Sequence, residues 1–96
     1  MDWKVFYKKR IEGQIKKMPK REQEKFSILV EDLELKGPIR PEWPHYSLLH
    51  KDENRKKDKT EYHCHLSKSW VACWRVENNA IEIEVYYAGS RENAPY

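Results

Sequence analysis

The sequence has little of what marks secreted, zinc-binding or membrane-spanning proteins. Its 96 residues include only two cysteines, Cys64 and Cys73, whose spacing fits neither a disulfide framework nor a zinc motif. No apolar run approaches the roughly 18 residues of a membrane-spanning helix, and no hydrophobic leader precedes the first charged residues. We therefore expect a cytoplasmic protein with reduced thiols and no contact with the membrane.

Charge and aromatic surface are abundant instead. Charged residues make up 36% of the chain, and the net charge is +3. Such a composition can indicate disorder, yet four Trp, six Tyr and two Phe supply enough apolar surface for a core. A chain of this length has room for one core, so residues 1–96 are expected to form a single domain. Basic residues cluster in 4–25 and 51–60, where they can attract phosphate groups.

Two amphipathic helices are predicted in the first half of the chain. A first helix, from about residue 8 to residue 18, has apolar residues at helical spacing, namely Ile11, Ile15 and Met18. Pro19 ends it, and a second helix follows with the same spacing at Phe26, Leu29, Val30 and Leu33. Gly37 and Pro38 stop this second helix. The pair forms a helical hairpin, preceded by a short strand in "DWKVFY", for which a helix is the alternative.

Strands are predicted in the second half. A short strand around residues 46–50 leads into a charged loop, and the runs "TEYHCHL", "WVACWRV" and "IEIEVYYA" then form an antiparallel meander. Alternation turns one set of side chains toward the helices: Tyr62, Cys64, Leu66, Trp70, Ala72, Trp74, Val76, Ile81, Ile83, Val85 and Tyr87. The expected fold class is α+β, with a short N-terminal strand, a helical hairpin and an antiparallel sheet of three to four strands.

The pentapeptide "YHCHL" places two imidazoles, His63 and His65, on the open face of the sheet. Alternation turns Cys64 inward, where a buried thiol is inert. A closed zinc site needs three or four ligands, and the spacing of the other histidines and Cys73 matches no zinc pattern, so we expect neither a metal nor another cofactor. The two histidines are either solvated surface residues or acid–base groups.

Neighbouring cations favour the acid–base interpretation. Arg75 lies on the adjacent predicted strand, Lys68 in the connecting turn, and a further arginine in the tail "GSRENAPY". Imidazoles titrate near neutrality and arginine does not, so together they offer proton transfer beside a fixed charge for phosphate. That combination suits metal-free RNA cleavage.

The order of elements, ending in "VYYAGSRENAPY", resembles the RelE/ParE superfamily of toxins from type II toxin–antitoxin systems. The local pieces of the resemblance are "IKKMPK", the strand pair "YHCHL…WVACWRV", and Gly-x-Arg-Glu followed by a tyrosine. For RelE-like members it implies ribosome-dependent cleavage of mRNA, in which the RNA 2′-hydroxyl attacks the adjacent phosphate without a metal. For ParE-like members it implies gyrase poisoning. In both cases a cognate antitoxin is the implied partner.

Individual residues can be matched to the RelE pattern. Arg91 matches the arginine after the last strand, and Tyr96 lies one position short of the catalytic tyrosine. An open-face arginine of RelE falls on Val71, and its lysine pair falls close to His63 and His65. We expect one of these histidines to be the general base, Arg91 to stabilise the phosphorane, and Tyr96 to orient or stack a base. The expected RNA-binding residues are Lys68, Arg75, Arg55, Lys56 and Lys57. The missing arginine favours the alternative, a ParE-like gyrase inhibitor or a degenerate toxin that only binds its antitoxin.

Overall fold

A computed structural model of the chain describes residues 2–51, 60–76 and 81–96. The elements in chain order are β1 (Lys4–Phe6), α1 (Lys9–Lys16), α2 (Lys20–Lys36), β2 (Ser47–Lys51), β3 (Thr60–His65), β4 (Trp70–Val76) and β5 (Glu82–Ser90). The strands form one sheet in the order β1-β5-β4-β3-β2, in which β1 runs parallel to β5 and the other neighbours are antiparallel. The predicted α+β class is confirmed, with five strands in place of three to four.

The boundaries of the two helices follow from proline and glycine. Pro19 cannot continue α1, and its carbonyl instead accepts hydrogen bonds from the first turn of α2. At the other end, the amide of Gly37 donates to Leu33 at 2.9 Å, and Gly37 has a φ of 91° that favours glycine. A Cβ at Gly37 would lie 2.9 Å from the indole nitrogen of Trp3, so the close approach of β1 also requires glycine here.

The main core lies between the helices and one face of the sheet. Leu29 and Leu33 from α2 are fully buried there, and each contributes roughly 1.5–3 kcal/mol by leaving water. Trp74 is also fully buried, and its indole N–H donates to the Pro38 carbonyl at 3.0 Å. The predicted inward positions Tyr62, Cys64, Leu66, Ala72, Ile83 and Val85 all belong to this core.

A bulge in β5 corrects the predicted faces of that strand. Cys73 pairs with Tyr87 whereas the next residue, Trp74, pairs with Val85, so Tyr86 is an extra residue. The alternation therefore shifts by one position, and Tyr87 packs with Val71 and Cys73 on the open face. The prediction that Tyr87 faces the helices is wrong because uninterrupted alternation takes no account of an inserted residue. Ile81, also predicted inward, precedes β5 and is 52% exposed.

Candidate functional site

Strand β3 carries His63 and His65 to the open face, as predicted. The ring of His63 is only 8% exposed, and its Nδ1 is hydrogen-bonded to Oγ of Ser47 on β2 at 3.0 Å. The two imidazole centroids are 5.7 Å apart. His65 is less buried than His63, so it is the more accessible of the two rings.

The C-terminal tail brings two further predicted residues to the histidines. The amide of Arg91 donates to the Ser69 carbonyl at 2.8 Å, which ties the tail to the β3–β4 turn. The ring of Tyr96 lies 4.6 Å from that of His63, centroid to centroid. Residues 26 to 33 positions apart in sequence thus meet at one end of the sheet.

Two contacts of Tyr87 hold the start of this tail. Its phenol donates to the Ser90 carbonyl at 2.6 Å. A Cβ at Gly89 would lie 2.9 Å from the same phenol oxygen, so the ring can occupy this place only beside glycine. The β5 bulge turns Tyr87 to the open face. It therefore helps to fix the position of the backbone just before Arg91.

His45 is a third imidazole that the sequence reasoning missed as a site residue. Its centroid lies 4.5 Å from that of His65, and the Pro44 carbonyl accepts a hydrogen bond from the His65 amide at 2.8 Å. His45 has a φ of 55°, a conformation uncommon for residues other than glycine. His45 lies in a connector with three prolines. Such a connector has no periodic pattern, so the sequence did not predict the contact of His45 with β3.

These residues line one cleft of about 850 Å³, which we call the histidine cleft: His45, His63, His65, Lys25, Lys68, Arg91 and Tyr96, with some neighbours. Lys25 comes from α2 and was not predicted here. No carboxylate of the described ranges 2–51, 60–76 and 81–96 forms an ion pair with the three cations. The cleft is therefore positively charged and suited to a phosphate.

Other predicted RNA-binding residues are not brought to the cleft. Arg75 lies outside it, paired with Glu61 at 3.4 Å and Glu84 at 3.3 Å and stacked over the ring of Tyr86 at 4.5 Å. Two carboxylates compensate its charge. Arg55, Lys56 and Lys57 lie outside the described residues.

The surroundings of the histidines favour their neutral form. Burial lowers the pKa of His63, and the neighbouring His65 lowers it further, against a hydrogen bond with the backbone of Ser47 that raises it. Burial is also the main cause that lowers the pKa of His65, followed by His45 and Arg91. Both rings are thus unprotonated near pH 7, and an unprotonated ring can accept a proton.

Burial keeps two thiols and one phenol of this region protonated. Burial raises the pKa of Cys73 to about 12 and that of Cys64 higher still, so neither thiol is a nucleophile. Burial also raises the pKa of Tyr96, which therefore presents a phenol with a hydrogen to donate. Val71 is fully buried on the open face, where it packs with Cys73 and Tyr87.

The described residues contain neither a cluster of metal ligands nor a membrane-spanning helix. No three His, Cys, Asp or Glu side chains in this part of the chain are arranged to hold a metal ion. None of its helices has the length and apolar character needed to cross a bilayer.

No known protein family and no curated protein matches the sequence. Among solved structures, a chain of the archaeal RelE–RelB complex from Pyrococcus horikoshii is similar, with a TM-score of 0.77 at 17% identity, covering 98% of this chain and 100% of that one. A metal-bound toxin from Helicobacter pylori has a TM-score of 0.60 at 16% identity, covering 94% of this chain and 96% of that one. At such identities the likeness concerns the fold, and it extends over nearly the whole length of both chains.

Proposed function

We propose that this chain, which has the fold of RelE-like toxins, is the toxin of a type II toxin–antitoxin system and cleaves mRNA on the ribosome. The observation that carries the proposal is the meeting of His63, His65, Arg91 and Tyr96 in one basic cleft. The similar archaeal chain was solved as a RelE–RelB complex, which supports a cognate antitoxin as the partner of this chain.

His65 is the group best placed to act as general base. It is less buried than His63, lies in the same cleft as Arg91, and its lowered pKa leaves it unprotonated near pH 7. In the proposed step His65 takes the proton of the RNA 2′-hydroxyl, and the 2′-oxygen attacks the adjacent phosphorus. The bond from phosphorus to the 5′-oxygen breaks, the 5′-oxygen takes a proton from water, and His65 returns its proton to water, so the products are a 2′,3′-cyclic phosphate and a 5′-hydroxyl.

Charge that develops on the phosphorane requires fixed cations. Arg91 and Lys68 line the cleft on either side of the tail contact with Ser69, and each has a side chain open to solvent. A guanidinium can contact two phosphate oxygens at once and remains charged at every relevant pH. Removing one such group typically costs 10²–10³ in rate.

Tyr96 and His63 form the part of the cleft that receives a base. Tyr96 is 53% exposed, and one side of its ring packs on His63. An exposed aromatic ring beside a reactive phosphate suits stacking of an unpaired RNA base. The hydrogen bond between Ser47 Oγ and His63 Nδ1 holds His63 in place beneath it.

The test is cleavage of mRNA by purified protein added to translating ribosomes, followed by mapping of the 5′ ends. We expect His65→Gln and Arg91→Gln each to reduce cleavage at least tenfold, on the order expected for lost acid–base or electrostatic catalysis. We expect His63→Gln to reduce cleavage as well, because it removes the ring on which Tyr96 packs. Arg21→Gln is the matched control, since Arg21 is an exposed cation of α2 that does not line the cleft. Equal cleavage by all four variants would refute the assigned roles.

A gyrase inhibitor, or a toxin that only binds its antitoxin, is favoured by one observation. The centre of the open face is apolar at Val71, and the nearby Arg75 is compensated by two carboxylates. Under this alternative the wild-type protein cuts no mRNA on ribosomes. A gyrase inhibitor would instead cause DNA damage when the protein is expressed in cells.

A further inference from the structure

A second groove lies beside the histidine cleft, along the outer edge of β5. Strand β1 pairs with residues 82–84, and no other strand of the described residues pairs with the later part of β5 on that side. Helix α1 fills the position instead, and Oε1 of Gln14 accepts a hydrogen bond from the Ala88 amide at 3.4 Å. The space between α1, β5 and the tail has a volume of about 640 Å³ and is lined by Arg10, Lys17 and Trp70, among others. We call it the α1 groove.

The α1 groove is continuous with the histidine cleft. A smaller depression of about 480 Å³ lies between them at the end of the sheet. It shares Arg91 with the histidine cleft, and it shares Trp70 and Ser90 with the α1 groove. A single surface path therefore runs from the three histidines, past Arg91, to the cations of α1.

The α1 groove combines positive charge with an accessible aromatic ring. Arg10 and Lys17 are exposed, and no acidic residue of the described ranges forms an ion pair with either. Glu92, in the connecting depression, is the acidic residue along the path. Trp70 is only partly buried. Proteins bind single-stranded nucleic acid with two elements. Cations contact the phosphates along the backbone, and aromatic rings stack on the bases.

Trp70 differs from the other tryptophans in its surroundings. Trp3 lies against Gly37, Trp43 donates its indole N–H to Asp32 at 2.8 Å, and Trp74 is fully buried. Of the four tryptophans, only Trp70 lines any of the three connected depressions. Part of Trp70 packs against the main core, and the rest of its surface borders the α1 groove.

We propose that the α1 groove is a second RNA subsite, in which a base stacks on Trp70 while Arg10 and Lys17 contact phosphates of the strand that leaves the histidine cleft past Arg91. The inference rests on the proposed function, because it concerns the same RNA. It assigns the groove to single-stranded RNA and extends the RNA-binding surface from the sheet to α1.

Helix α1 supplies a control of equal charge. Lys9 and Lys16 are exposed on the same helix and line none of the depressions. The double variant Arg10→Gln/Lys17→Gln therefore loses the same two charges as Lys9→Gln/Lys16→Gln, and the two differ only in whether those charges face the groove. If none of the α1 cations contacted RNA, the two double variants would bind RNA with the same affinity.

Binding is measured by fluorescence anisotropy with 2′-O-methyl RNAs, which lack the attacking hydroxyl and cannot be cut. Two RNA lengths are compared. An RNA of about 3 nucleotides can occupy only one of the two sites, whereas an RNA of about 12 nucleotides can reach both. For the longer RNA we expect the groove variant to raise Kd on the order of tenfold and to lower the salt slope by about 1.4, at about 0.7 per phosphate contact. For the shorter RNA we expect little change in either variant.

Trp70 is tested by fluorescence quenching. Stacked bases quench indole emission, so the longer RNA should quench the wild type and quench Trp70→Phe much less, while thermal unfolding checks that Trp70→Phe is folded. Equal quenching in both proteins would contradict the stacking role.

The outcomes separate this inference from the proposed function. If the wild type cuts mRNA on ribosomes but the two double variants bind the longer RNA equally, the subsite is refuted and the proposed function stands. If the wild type neither cuts mRNA nor binds either RNA, both are refuted.

Discussion

Gly89→Ala should destabilise the protein through a single contact, that of the new methyl group with Tyr87. The Cβ would lie 2.9 Å from the phenol oxygen and 3.1 Å from Cζ of Tyr87. The Tyr87 ring is 8% exposed and is held by its hydrogen bond to the Ser90 carbonyl, so it cannot move without losing that bond. Overpacking of this kind costs about 1–3 kcal/mol, and the lost hydrogen bond costs about 1 kcal/mol more.

Urea denaturation measures this cost, and thermal unfolding should show a fall in Tm of about 4–8 °C for each kcal/mol lost. Gly13→Ala is the matched control. A Cβ at Gly13 meets nothing within 4 Å, so the same substitution there should stabilise α1 by roughly 0.5–1 kcal/mol. The two Gly→Ala changes therefore have opposite expected signs.

A double-mutant cycle isolates the Tyr87 contact. In a Tyr87→Leu background the methyl group has no phenol to meet, and Gly89→Ala should cost less than about 0.5 kcal/mol. If Gly89→Ala costs the same with and without Tyr87, the steric argument is refuted. If it costs nothing in the wild type, the described position of the Tyr87 ring is refuted as well.

Two further predictions concern titration and thiol chemistry. The pKa values of His63 and His65 are lowered in the folded state, mainly by burial, so the unfolded chain binds protons first as pH falls. The free energy of unfolding should therefore decrease below about pH 6.5, by at most about 1.4 kcal/mol per pH unit for each histidine; urea titrations should show this fall reduced in His63→Gln, and an equal fall in the variant would contradict the assignment. Burial raises the pKa of Cys73 to about 12 and that of Cys64 further, so iodoacetamide at pH 8 should label both thiols in urea and neither in the native protein, and rapid native labelling would contradict their burial.

Local patterns predicted the elements of this fold well because each depended on neighbouring residues. The apolar spacing of α1 and α2, the breaks at Pro19 and Gly37, and the inward side of β3 all follow from chain periodicity. The parallel pairing of β1 with β5 joins residues about 78 positions apart and has no local signal.

The candidate site could be predicted only in part for the same reason. Alternation predicted that His63 and His65 share the open face, and the resemblance to RelE pointed to Arg91 and Tyr96, which the structure places with them. His45 joins them through the fold of a proline-rich connector.

His45 was missed as a site residue, whereas Arg75 was predicted to belong to the site and lies outside the histidine cleft. Its strand position was predicted correctly, but its partners Glu61 and Glu84 come from the two neighbouring strands. Register across three strands decides this pairing, and the β5 bulge sets part of that register.

The most direct test of the account is the chemistry of mRNA ends formed on ribosomes by the purified protein. The proposed function predicts fragments with 2′,3′-cyclic phosphates and 5′-hydroxyls. Arg91→Gln should form them at least tenfold more slowly than Arg21→Gln. No cleavage by the wild type, or equal cleavage by these two variants, would contradict it.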